Sequence, residues 1–308
     1  MFTVSFSGHE TFPFRYGWLK KGVNALSDNP TFFSTDRAMV ELGVGKNMVN
    51  SIKYWCSAAG LIESEKLNLT RGNYAPTVIA KALFLENGFD PYFEDLATLW
   101  LIHWQIASNA EQCTTWYWLF NQWHGVEFTK EQVFSEIQKW LERQRLKPAS
   151  ENTLNRDIDV CVRTYVHSRH GKSAISEDSL DCPLNELNLV TELEDGKTYQ
   201  FRRGEQTTLP NEIFLFALSD YWRKNEIKTN SVNLEKVVYE AGSPGKIFKL
   251  DEETVVRRLE EITELSDGAF RYDETAGSKQ IYRQREIEPF LWLKHYYQKQ
   301  FARRLRIN

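Results

Sequence analysis

The chain has 308 residues, with 38 Lys plus Arg, 42 Asp plus Glu and a formal net charge of −4; 42% of it is hydrophobic and ten residues are Trp. Apolar content this high at low net charge excludes a globally disordered chain, and the length is enough for two or three domains with real cores. The acidity excludes a surface that is basic throughout, as a histone-like nucleic-acid binder would need, but not a local basic patch.

Taken in order, Tyr16–Ser27 reads as a first helix after an extended entry, stopped by Asp28-Asn29-Pro30. Arg37–Leu42 is a short second helix behind Ser34-Thr-Asp, and Gly43-Val-Gly45 a tight turn. Lys46–Ala59 is a third helix with Met48, Ile52, Trp55 and Ala59 on its inner face, closed by Gly60. Leu61–Glu65 reads as a short strand, 67–73 as a turn-rich loop and Thr77–Leu85 as another helix. Residues 91–128 carry four acids, no Lys or Arg, and five Trp (Trp100, Trp104, Trp116, Trp118, Trp123). Leu96, Leu99, Trp100, His103, Trp104 and Ala107 recur at helical spacing, which predicts a buried helix pair. Such rings also stack on bases, but stacking sites sit among cations that hold the phosphates, and here there are none.

Lys130–Arg145 and Asn152–Val166 are two more amphipathic helices, followed by a strand pair in 189–203 around Glu194-Asp-Gly-Lys197. Near the end, Val232–Glu240 and Asp251–Leu265 flank the turn Gly242-Ser-Pro-Gly245. Phe270–Tyr272 and Gln280–Tyr282 then make a hairpin about Thr275-Ala-Gly-Ser278. The expected fold is mainly α with small β-wings: several winged helix-turn-helix-like modules packed on a Trp-rich helical core. Its expected domains are an N-terminal winged helix-turn-helix (1–90), a central helical module with a second such unit (91–226) and a C-terminal winged-helix-like module (227–308).

Charge alternates along the chain: +1 over 1–90, −4 over 91–128, +3 over 129–172, −6 over 173–226 and +2 over 227–308. The acidity therefore lies in two blocks. In a helix-turn-helix the start of the second helix faces base edges, and here it supplies Lys46, Asn47, Asn50 and Ser51, with Lys53 and Tyr54 a turn later and Arg71 in the wing. The same face could serve protein contacts alone. Arg156 and Arg163 lie at near-helical steps in the basic segment, either aimed at phosphate or paired with Asp157 and Asp159.

Neither Gly45-Lys46 nor Gly245-Lys246 is a nucleotide-binding phosphate loop, because Val40 and Glu240 stand where the leading Gly is required, and Asn47 and Ile247 where Ser or Thr is. The four cysteines are scattered and read as reduced thiols. Nothing at the start has the charged and apolar regions of a secretory signal, and no apolar run spans a bilayer, so a cytoplasmic location is expected. His167-Ser-Arg-His170 has helix-compatible metal spacing but no third ligand in sequence.

The densest chemistry is in Phe6-Ser-Gly-His9-Glu10-Thr11-Phe12-Pro-Phe-Arg15. For phosphodiester hydrolysis it offers His9 as acid or base, Glu10 as ligand of a divalent metal, Mg²⁺ by the usual chemistry, and Arg15 as phosphate clamp. The alternative is a Glu10–Arg15 ion pair with His9 satisfied in a core wall.

That opening and Trp18-Leu-Lys-Lys-Gly22 resemble a family catalogued as a domain of unknown function and found beside genes for DNA phosphorothioation. So do Leu42-Gly-Val-Gly-Lys-Asn-Met-Val49 with Ile52-Lys-Tyr-Trp55, Asn155-Arg-Asp157 leading to Tyr165, and Gly242-Ser-Pro-Gly-Lys-Ile-Phe-Lys-Leu250. Its best-described type is the B component of single-stranded (Ssp) modification systems. The resemblance implies a DNA nickase that opens one strand for sulfur incorporation in an anti-phage system. It also implies a cysteine desulfurase, an ATPase and a sulfur-transfer enzyme as partners. The positions matching the family's opening are His9, Glu10, Thr11 and Arg15; those matching its turn are Gly43, Gly45, Lys46 and Asn47. A non-catalytic DNA-binding adaptor, or an interaction scaffold, is the competing expectation.

Overall fold

A computed structural model describes residues 3–64, 72–85, 87–167, 182–225 and 227–307, and shows a mainly helical protein with three small antiparallel sheets. The chain divides into two compact units, residues 1–119 with 123–202 and residues 120–122 with 203–308.

The first unit opens with α1 (Trp18–Asp28), a 3-10 turn, α2 (Arg37–Leu42) and α3 (Lys46–Ala58). Strands β1 (Ile62–Ser64) and β2 (Tyr74–Pro76) then pair, and α4 (Val78–Phe84) follows. Gly43 ends α2 in the left-handed region (φ 67°), where a side chain is disfavoured, so the chain can turn at once into α3. α5 (Leu96–Ala107) is apolar nearly all round and correspondingly buried nearly all round. With α6 (Thr114–Asn121) it supplies the buried rings of Trp100, Trp104, Trp116 and Trp118. The helix pair of the Lys/Arg-free segment is therefore core, while Trp123 beyond it is only half-buried.

Strand β3 (Glu127–Thr129), α7 (Lys130–Arg143), α8 (Glu151–Tyr165), β4 (Val190–Glu192) and β5 (Thr198–Phe201) complete this unit. Thr129 and Gln132 cap α7 reciprocally, and Ser150 caps α8. Phe128 faces Tyr199 across the β3–β5 ladder, and Val190 faces Phe201 across β4–β5.

The second unit holds α9 (Asn211–Lys224), β6 (Ser231–Asn233), α10 (Leu234–Tyr239), α11 (Pro244–Ile247), α12 (Glu252–Leu265), β7 (Phe270–Thr275), β8 (Ser278–Arg283) and α13 (Pro289–Ile307). Its sheet order, β6-β8-β7, repeats the β3-β5-β4 order of the first unit, and both sheets flank a run of helices in the order strand, helices, hairpin. Ala276-Gly277, both at positive φ, form the two-residue turn between β7 and β8.

Three boundaries differ from expectation. The helix expected over Val232–Glu240 is a strand followed by a helix: Val232 pairs with Ile281, and the Asn233 side chain accepts from the Glu235 N–H to start α10. The first helix starts at Trp18, because Gly17 takes a left-handed conformation. β2 adds a second strand to the one expected at 61–65. Among the described residues no helix is long and apolar enough to cross a membrane, and all four cysteines are free and buried.

Candidate nucleic-acid interface

The opening motif is a loop pinned to both α3 and α8. Asp157, on the inner face of α8, accepts the Ser7 N–H at 2.7 Å and the His9 Nε2–H at 2.6 Å, both on Oδ1. The Thr11 N–H donates to His9 Nδ1 at 3.1 Å, so Nδ1 holds the lone pair and Nε2 the proton. His9 has no exposed surface and is walled by the rings of Trp116, Tyr54 and Trp55, with centroids 5.7, 5.8 and 6.3 Å away. Trp55 Nε1 donates to the Phe12 carbonyl, and the Ser5 N–H to Thr114 Oγ1. Gly8 passes so close to Tyr54 that a Cβ would lie 2.5 Å from its ring. Ser7, Glu10 and Thr11 all take positive φ, a strain maintained by these contacts.

His9, expected as acid or base, has both ring nitrogens engaged inside the core, as the core-wall alternative has it. Glu10 does reach the surface, where its carboxylate accepts from Asn50 Nδ2 at 3.4 Å. The Arg15 guanidinium lies over the Trp18 and Phe12 rings, 5.4 and 5.9 Å from their centroids, an aromatic seat for a partly exposed cation.

On α3, Lys46, Asn47 and Asn50 are exposed. The helix carries two Lys and no carboxylate, and Gly45 at its N-cap offers no side-chain acceptor, so its first-turn N–H groups face outward without a cap. A Cβ at Gly43 or Gly45 would meet nothing within 4 Å, so the turn is open to a close-approaching ligand. The rest of the expected recognition face turns elsewhere. Ser51 is fully buried and cannot touch DNA, because position 51 falls on the Ile52–Trp55 side of the helix. Tyr54 donates to the Gln112 carbonyl at 2.8 Å, and burial pushes its hydroxyl pKa well up. Lys53 stands over the Tyr74 ring, 4.5 Å from its centroid, and ties α3 to β2. Arg71 and His170 lie outside the described residues.

Arg156 is exposed on α8. Arg163 braces the opening loop instead: it pairs with Asp159 at 3.0 Å and donates to the Thr11 carbonyl at 2.8 Å. Asp159 also takes Lys130 at 2.6 Å. Among the described residues no three His, Cys, Asp or Glu side chains converge as metal ligands. Glu10 offers one carboxylate only, so these side chains do not by themselves build a Mg²⁺ site.

Asp157, offered by the sequence with Asp159 as one alternative partner of the α8 arginines, serves the opening loop instead. A signal was present: with Leu154, Ile158, Cys161 and Tyr165 it lies on the apolar stripe of α8, where a carboxylate has to find a buried donor.

The chain belongs to the family described as a protein of unknown function, DUF4007, which it matches over residues 6–297. Among solved structures, an SspB crystal structure shares 28% identity at a TM-score of 0.84, covering 96% of this chain and 88% of that one. A magnesium ion-bound SspB crystal structure shares 29% identity at the same TM-score and coverage. No curated protein sequence matches. The structural likeness agrees with the resemblance that the opening motif and the Gly-Val-Gly-Lys-Asn turn carry.

Proposed function

We propose that this protein is a DNA-binding component of a bacterial DNA phosphorothioation system that marks host DNA against phage. In this reading the α1–α3 and β1–β2 module is a winged helix, and α3 enters the major groove. The observation that carries it is the start of α3: exposed Lys46, Asn47 and Asn50 on a helix without a carboxylate, behind an open glycine turn. Lys46 and the uncapped N–H groups meet phosphate oxygens. Asn47 and Asn50 present amides able to pair with the N6 and N7 of adenine. The Lys53–Tyr74 contact ties α3 to β2. Arg156 adds a phosphate contact, while Arg163 holds the loop that carries Glu10. In this reading the protein works beside a cysteine desulfurase, an ATPase and a sulfur-transfer enzyme, the partners that the resemblance of the opening motif implies, which would act on the DNA held here.

A second reading, a nickase, is favoured by the magnesium ion-bound SspB structure among the neighbours. There Glu10 and Arg15 are the surface groups to test, since His9 is committed to Asp157.

Band-shift titrations over a salt series test the first reading. Lys46→Glu and Asn50→Ala, both at exposed positions, are expected to weaken duplex binding about tenfold or more for the charge reversal, which replaces an attraction by a repulsion. Unchanged affinity in a folded Lys46→Glu protein refutes it and favours a scaffold. Relaxation of supercoiled plasmid by the wild type, abolished by EDTA and by Glu10→Ala, establishes the nickase. Binding without relaxation leaves the adaptor.

A further inference from the structure

The opening loop sets Glu10 at φ 51° and Thr11 at φ 68°, conformations that are strained for residues other than glycine. Both neighbours of Glu10 are tied down. His9 is locked to Asp157, the Thr11 N–H donates to His9 Nδ1, and the Thr11 carbonyl accepts from Arg163 Nη2 at 2.8 Å. The Glu10 N–H donates to the Ser7 carbonyl at 3.3 Å and the Phe12 N–H to the His9 carbonyl at 2.9 Å, which closes two overlapping turns. The backbone at Glu10 is thus fixed, and its side chain reaches α3 from one set point.

There the Glu10 carboxylate accepts from Nδ2 of Asn50, an exposed residue, at 3.4 Å. A carboxylate only accepts, so it holds the nitrogen side of the amide and repels the oxygen side. A free Asn amide rotates between two orientations; Glu10 selects the one with Nδ2 toward the loop and Oδ1 away from it. Reading adenine requires Oδ1 to accept from N6–H and Nδ2 to donate to N7. Nδ2 carries two hydrogens, so one serves Glu10 and the other remains for N7. The placement also has a cost. α3 has no carboxylate of its own, and an acid set beside a phosphate-binding helix repels the backbone that the helix holds. Strain and like-charge repulsion therefore meet at one residue, and what that residue does on α3 is hold the Asn50 amide.

We propose that Glu10 is a positioning residue for base recognition, fixing the Asn50 amide in the orientation that pairs with adenine. The adenine contact rests on the DNA-binding reading above; the hold of Glu10 on Asn50 does not.

The test selects sequences from a pool of randomised duplexes with the full chain and measures the selected duplexes by anisotropy. It compares the wild type with Asn50→Ala, Glu10→Ala, Glu10→Gln and the double variant Glu10→Ala/Asn50→Ala. The wild type is expected to prefer adenine at one position, and Asn50→Ala to lose that preference. Glu10→Ala is expected to lower the preference about fivefold or more at the same position, while duplexes without the site bind as well or better, because an acid has left the surface. Glu10→Gln is expected to keep most of the preference, since its amide oxygen still accepts from Nδ2; a metal ligand would not be rescued in this way. The double variant is expected to match Asn50→Ala, as two residues acting through one contact do. A Glu10→Ala protein with the wild-type preference overturns the proposal. So does one that loses affinity for all sequences alike, the result of a loop that has come apart. An adenine preference that survives Asn50→Ala overturns it as well. A wild type that binds no duplex overturns the DNA-binding reading and the role in base recognition with it, whereas the other failures leave that reading standing.

Discussion

Asp157 holds the opening motif through a single oxygen, and this makes its contribution measurable. Asp157→Ala would leave the His9 Nε2–H buried without its acceptor and take the acceptor from the N–H of Ser7, a residue at the surface. A buried donor stripped of its partner costs about 1–3 kcal/mol, so the expected loss, carried by His9, is about 1–3 kcal/mol, a sizeable part of the ~5–15 kcal/mol that holds a typical domain folded. Asp157→Asn keeps Oδ1, and it places its amide nitrogen where Oδ2 now sits buried without a partner. The exchange replaces one unsatisfied atom by another and removes a charge that a proton-bearing Nε2 does not require. Its expected cost is about 1 kcal/mol.

Urea unfolding followed by Trp fluorescence suits the question, because Trp116 and Trp55 both flank His9. If Asp157→Ala costs less than about 1 kcal/mol, the hydrogen-bond argument fails. If Asp157→Asn costs as much as Asp157→Ala, charge rather than hydrogen bonding holds the loop, and the assignment of the His9 proton is wrong.

The four thiols are expected to be inert to Ellman's reagent at pH 8 in the native protein and fully reactive in denaturant, since all are buried and burial pushes Cys113 up to about 12. One fast-reacting thiol in the folded chain contradicts this. In the β4–β5 turn, Asp195 accepts from the Thr198 hydroxyl and from the Lys197 and Thr198 N–H groups, which draws its carboxyl down to about 2 from an ordinary 3.8. Because the folded value is the lower one, its contribution is present above about pH 4 and is lost as pH falls toward 2. A carboxyl carbon NMR titration with a midpoint near 4 would refute this.

Much of the fold is legible in the sequence where a local rule decides the outcome. α2, α3, α4 and α7 fall close to their expected ranges, because apolar spacing, glycine stops and polar caps agree there. The α5–α6 pair of the Trp-rich segment is core, as its lack of cations implies. β3 and β6 were missed for a common reason: each is a three-residue strand leading directly into a helix, too short for alternation to show, and each exists only because a distant hairpin pairs with it. The site was legible in part. Exposure of Lys46, Asn47 and Asn50 follows from helical phase, as does the burial of Ser51 once Ile52 and Trp55 are placed inward. That His9 faces inward does not follow, because it depends on a carboxylate 148 residues away.

The last α-helix before each strand pair, α3 before β1–β2, α8 before β4–β5 and α12 before β7–β8, holds the same place in chain order, yet the three differ in charge. α3 has two Lys and no acid; α8 balances two Arg against Glu151, Asp157 and Asp159, with Asp157 turned inward; α12 has five Glu and two Arg. The cations of α12 are also spent internally: Arg258 donates to Asn211 and to the Glu205 and Gln206 carbonyls, and Arg257 pairs with Glu205. A helix of that composition repels a phosphate backbone. A shared place in chain order therefore does not make three DNA readers, and on charge α3 is the one suited to the task.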